Sequence, residues 1–150
     1  RLFNTIGPRQ RGGWGMVVPR FVEAALCSKP IVVYGEGSQT RCFCDVCDTV
    51  PMLIALMNTE KSVGVAVNVG SDGPITILQL AELVKTTLNS NSEIMFKTMF
   101  DVYGEGFEDL QDRQPDLTRL ESMIGKKTRV SLEHTITSIA ASLSIGTNRE

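Results

Sequence analysis

IVVYGEGSQTRCFCDV, residues 31–46, decides how this chain is read. Ile31, Val32, Val33 and Tyr34 form a strand dense in β-branched side chains. Gly35, Glu36 and Gly37 break it, and the two glycines read as a turn that needs positive φ. After polar Ser38 and Gln39 a second strand, TRCFCDV, begins at Thr40 and carries Arg41 into apolar company. A guanidinium so placed needs a counter-charge. Two partners stand open at this point: an anionic ligand, or a local acid such as Asp45.

Working outward, RLFNTIG at the opening reads as a short buried strand, followed by the irregular loop GPRQRGGWG, where Trp14 is a candidate rim residue. A chain that opens inside a strand is expected to be part of something longer. Pro19 begins a helix, PRFVEAALCSK, with Phe21, Val22, Ala24 and Ala25 facing inward. Beyond the opening stretch, Asp48 is the expected N-cap of DTVPMLIALMN, with Pro51 in its tolerant first turn. VAVNVG is dense in valine and reads as a strand buried on both faces. Thr76 and Gln79 form a capping box, after which Ile77, Leu80, Ala81, Val84 and Leu88 keep helical spacing.

EIMFK is a further strand, and residues 100–114 lack a period and read as loop. Pro115 and Asp116 start a short helix that stops at Gly125. Ser131 caps a last helix whose inner face holds Leu132, Ile136, Ile139, Ala140 and Leu143. Strands alternate with helices, so the fold class is mixed α/β.

Composition narrows the function. With 42% apolar residues and a net charge of −2 over 150 residues, the chain is neither disordered nor a bulk nucleic-acid binder. No apolar run approaches the roughly 18 residues of a membrane span. Cys42, Cys44 and Cys47 lack a fourth ligand, and the one histidine, His134, is far along the chain, so no metal is expected. Reduced structural thiols suit a cytoplasmic protein. His134, at the third position of a helix, suits an exposed structural place, and no nucleophile–base pair or paired carboxylates stand out. The arginines say more. Arg1, Arg9, Arg11 and Arg20 fall within the first 22 residues, which hold no acid. Arg113 sits beside Asp112 and near Asp116, so it too could pair locally or grip an anion.

RLFNTIGPRQ, VVPRFVEAAL, KPIVVYGEGSQTRCFCDVCDTVPMLIALM, AVNVGSDGPITILQLAELV and DRQPDLTRLESMIG follow one another in this order. Together they resemble the C-terminal half of the extended short-chain dehydrogenase/reductase family. This family comprises NAD-dependent sugar-nucleotide epimerases, 4,6-dehydratases and UDP-glucuronate decarboxylases. The nearest branches are the UDP-glucose 4-epimerase-like and UDP-glucuronate decarboxylase ones. The resemblance implies the last strands of a Rossmann-type sheet plus a small α/β substrate-binding domain, over residues 1–150. The family's NAD-binding glycine turn and Tyr-x-x-x-Lys would lie upstream. Here Tyr34 is followed four residues on by Ser38, and Tyr103 by Phe107.

By the same resemblance, Asn4, Arg41 and Arg113 would hold a nucleotide diphosphate, and Tyr34 would line the base. The backbone of Met16, Val17 and Val18 would cover the substrate, while Leu2 and Phe3 would lie toward the nicotinamide. The implied ligand is a UDP-sugar bound for 4-keto chemistry. NAD would be held mainly by the upstream half, which would also supply any oligomer contact. On its own this portion is expected to be inactive. A non-catalytic nucleotide-sugar-binding or protein-interaction module is the competing class. One departure stands out: Asp45 occupies a position where the family commonly has His or Tyr.

Overall fold

The computed structural model describes residues 1–10, 16–98, 110–125 and 128–146; Trp14, Tyr103 and most of the expected loop over 100–114 lie outside them. Its main core is a helical layer over a parallel strand pair. Helix α1 (Val17–Leu26) starts two residues before Pro19, which occupies the third helical position, where its missing N–H costs nothing. It buries Val18, Phe21, Val22 and Ala25. Strand β2 (Ile31–Tyr34) alternates buried and half-buried residues and pairs in parallel with the strand at Ile94–Lys97, Ile31 opposite Ile94.

Helix α3 (Ile77–Thr87) brings Ile77, Leu80, Ala81 and Val84 to the same core, and the C-terminal helix, Leu132–Gly146, adds Ile136, Ile139 and Ala140. Each large side chain so enclosed contributes about 1.5–3 kcal/mol. The capping box forms as expected: Thr76 Oγ1 accepts from Gln79 N and Gln79 Oε1 from Thr76 N, both at 3.0 Å. Ser131 Oγ likewise accepts from His134 N at 3.2 Å.

A smaller core lies beneath helix α2 (Val46–Met57), where Cys44, Met52, Leu56, Val67, Val69 and Leu120 meet. Three expectations change here. The stretch TRCFCDV divides into β3 (Thr40–Cys42) and β4 (Cys44–Asp45), because β4 pairs with a different partner, β1 (Thr5–Ile6), in parallel. That pairing ends the extended backbone at Asp45, so Asp45 caps α2, its Oδ1 accepting from Cys47 N at 2.6 Å. Asp48 is left for another task. Pro51 consequently falls at the sixth helical position, beyond the first turn.

Residues 65–69 are not a strand buried on both faces. Only Leu2 and Val69 bridge, in parallel; Val67 and Val69 are buried while Val65 is exposed. Finally, β5 (Pro74–Thr76) and a two-residue strand, β7 (Asp112–Arg113), flank β3, the second emerging from the expected loop. The strand at Ile94–Lys97 is β6, the short helix Thr118–Ile124 is α4, and the C-terminal helix is α5. Among the described residues no helix is long and apolar enough to cross a membrane.

Candidate functional site

The turn that opened the sequence reading behaves as its glycines demand. Gly35 and Gly37 have φ of 67° and 72°. A side chain at Gly37 would also press its Cβ to within 2.8 Å of Val33 Cγ1 and 3.1 Å of the Leu78 backbone. This tight turn lets Leu78 N donate to Gly37 O at 3.0 Å and Ile77 N to Gln39 O at 3.1 Å, so the start of α3 fixes where β3 begins. Gln39, buried, donates to Tyr34 O at 3.2 Å and closes the turn from inside.

Along β3 the side chains alternate. Cys42 is buried, and burial, then the Asp72 charge, push its thiol above the ordinary 9.0. Thr40, on the same side, donates from Oγ1 to Asp112 Oδ1 at 2.6 Å. Arg41 points the other way. Its register partner on β5 is Ile75 and on β7 is Arg113. Because β3 and β7 run parallel, partnered residues share a face, and the two arginines stand side by side on strands ~4.8 Å apart. Arg41 Nη1 donates to Thr40 O at 2.7 Å and to Gln111 O at 3.4 Å, which holds the guanidinium at the β3–β7 edge.

Arg113 is exposed, and it closes a cleft of about 260 Å³ whose other walls are Arg1, Leu2, Phe3 and Asn4. Asn4 has φ of 37°, a left-handed conformation uncommon outside glycine. Its Nδ2 donates to Cys42 O at 2.9 Å, and its own carbonyl accepts from Cys44 N at 3.2 Å. Asn4 thus ties the cleft to the far end of β3. Leu2 is 56% exposed although its backbone neighbours pair with Val69, so an apolar side chain faces the opening.

Other expected site residues sit elsewhere. Tyr34 lies under Arg20, whose Cζ is 4.0 Å from the ring centroid and whose Nη2 donates to Val32 O at 3.3 Å. The Met16 Sδ accepts from Gln10 Nε2 at 3.5 Å; the Val17 side chain packs on the main core, and that of Val18 is buried in it. None of these four is among the walls of the cleft.

Asp45, the family departure, has both carboxylate oxygens engaged. Oδ1 caps α2 and Oδ2 accepts from Thr135 Oγ1 at 2.6 Å, so it works as a buried strut between α2 and α5. A side-chain hydrogen bond to Asp45, then the Asp45 charge, raise the exposed Cys47 thiol above its ordinary 9.0. Sequence reasoning missed Arg1 as a cleft wall and Thr40 and Asp112 as a pair. For Arg1 a signal existed, since it directly precedes Leu2, Phe3 and Asn4. For Thr40 and Asp112 none did, being 72 positions apart.

The geometry suits binding more than proton transfer. Arg1, Arg113 and Asn4 line an open, partly apolar cleft; Arg41, beside Arg113 on the neighbouring strand, is not among its walls. Among the described residues no group of three metal-ligating side chains gathers. Nor do they fit a dinucleotide: the Gly35–Gly37 turn runs into β3, not into a helix N-terminus that could cradle a pyrophosphate.

Comparison with known proteins decides the kinship, as residues 1–70 match the model of the NAD dependent epimerase/dehydratase family. The likeness to that family is thus found over residues 1–70. The chain is 40% identical over 134 residues to UDP-N-acetyl-alpha-D-glucosaminuronate decarboxylase of Bacillus cytotoxicus, covering 89% of this chain and 41% of that protein. It is 40% identical over 132 residues to UDP-glucuronic acid decarboxylase 2 of Arabidopsis thaliana, covering 88% of this chain and 28% of the relative. The chain therefore spans less than half the length of these curated relatives.

Its fold is shared with UDP-glucose 4-epimerase of Thermotoga maritima, solved with UDP-glucose: TM-score 0.85 and 25% identity, covering 98% of this chain and 45% of that one. UDP-glucuronic acid 4-epimerase of Bacillus cereus, solved with UDP-glucuronic acid and NAD, has the same fold at TM-score 0.83 and 21% identity, over 97% of this chain and 44% of that one. The architecture is thus the α/β fold of Rossmann-type epimerases, present here in part.

Proposed function

We propose that this chain is the substrate-recognition portion of an NAD-dependent sugar-nucleotide enzyme, and that it grips the diphosphate of a UDP-sugar between Arg41 and Arg113. The observation that carries this reading is the register of β3 on β7, which sets the two arginines directly opposite each other. Like charges so placed destabilise a sheet, and a doubly charged diphosphate removes that cost while satisfying both planar forks. Asn4 lines the same cleft as Arg113, and Arg41 would reach the ligand from the adjoining strand edge. Leu2 and Phe3 supply the apolar surface against which the sugar end would lie, nearest the cofactor. Tyr34, stacked under Arg20, and the backbone of Met16, Val17 and Val18 are assigned to the nucleoside side.

NAD is assigned to residues other than these, and the diphosphate anchor serves to orient the sugar. Anchoring a remote group in this way turns binding energy into positioning. The two 40% relatives are both named decarboxylases of UDP-linked uronic acids, whereas the 4-epimerase structures are 25% identical or less. That ordering supports a decarboxylase as the whole protein.

Calorimetric titration of UDP, UDP-glucose and dTDP into the chain tests the site. Arg41→Ala and Arg113→Ala should each weaken UDP binding by tenfold or more, about 1.5–3 kcal/mol for a hydrogen bond between charged partners. UDP binding that both variants leave intact would sink the assignment.

A further inference from the structure

We infer that Thr40 and Asp112 are positioning residues that set the strand register on which the Arg41–Arg113 pair depends; this rests on reading that pair as the diphosphate grip. Strand β7 is two residues long, and residues 111–114 are all exposed. It has no buried face, so the usual device that fixes register, apolar alternation against a core, is absent. Slippage by one residue would be costly for function. It would turn Arg113 to the opposite face of the sheet and bring Asp112 or Gln114 beside Arg41.

Backbone bonds do not prevent this. The bond from Thr40 N to Gln111 O, 2.9 Å, can be remade with the next carbonyl along. Side-chain bonds are specific to register. Beside the longer bonds from Arg41 Nη1 to Gln111 O and from Gln114 Nε2 to Asp72 O, both 3.4 Å, the strand has bonds from side chain to side chain: Thr40 Oγ1 to Asp112 Oδ1 at 2.6 Å, and Gln111 Nε2 to Ser38 Oγ at 3.2 Å. The first is the shorter, and it gains strength from the carboxylate charge. Pro115, buried two residues beyond Arg113, ties down the exit of the strand and leaves Asp112 to fix the strand itself. The pair acts from the face opposite the arginines. It serves the ligand without touching it.

A double-mutant cycle with UDP titration tests the inference, using preparations whose circular dichroism matches the parent chain. Thr40→Val should lower UDP affinity about fivefold in the parent chain, yet by less than about twofold in the Arg113→Ala background, since there is then no arginine to place. Thr40→Ser should restore binding. Asp112→Ala should follow Thr40→Val, while Asp112→Asn, which keeps an acceptor oxygen, should stay near the parent value. Equal losses in both arginine backgrounds, or failure of Thr40→Ser to rescue, would overturn the inference and leave the diphosphate reading standing. A parent chain that binds no UDP would overturn both.

Discussion

The two ends of β2 and its turn belong to differently built regions. On one side, α1, α3 and α5 close over β2 with Phe21, Val22, Ile31, Val33, Leu80, Val84, Ile136 and Ile139 all shielded from solvent. On the other, β3 and β7 meet through single polar contacts at an exposed edge. The first region is over-determined, since many side chains say the same thing. The second is held by a few bonds, each with its own geometry. Stability resides in the former and, on the proposed function, recognition in the latter, so changes in one should be nearly silent in the other.

The largest break in that contrast should come from Phe21→Ala, which empties a fully buried ring site and should cost about 3–5 kcal/mol in denaturant unfolding. Asp48 sharpens it from the polar side. Its buried carboxylate accepts from Arg129 N and Val130 N, both at 2.9 Å, and so pins the entry to α5 against α2. Asp48→Ala leaves those donors without their partner. We expect a loss of about 2 kcal/mol, with faster amide exchange at Arg129 and Val130 than elsewhere. The smallest effect on folding should be that of Arg113→Ala. An exposed arginine beside another should cost no more than about 0.5 kcal/mol, even as ligand affinity collapses. A large stability loss there would mean that the two regions are not separable.

The same division explains what the sequence disclosed. The helices α1, α3 and α5 were legible because burial imposes a period, and the Thr76–Gln79 box because both partners lie within one turn. Asp45 and Asp48 both precede a helical run, and which of them caps it depends on β1, which stops the strand at Asp45. Val65, Val67 and Val69 announced a strand by composition, yet the β-bridging there is confined to Leu2 and Val69. For the site, Arg41 stood out by its apolar company. Its grouping with Asn4 and Arg113 came only from the resemblance, since no local pattern links positions 4, 41 and 113. Strand β7 had no period at all; it is a strand only because β3 offers an edge to it.

The parallel crossing of β3 and β7 has a consequence for the order of events in folding. A parallel pair cannot be closed by a hairpin turn, and Thr40 and Asp112 are 72 positions apart. Bringing them together carries the chain-closure cost of a long loop, which local structures such as the start of α3 do not bear. The recognition edge is then a late assembly on a framework already formed. On the proposed function, a diphosphate spanning Arg41 and Arg113 would be a removable cross-link between distant segments, stabilising the native chain by an amount that grows with the logarithm of ligand concentration above Kd.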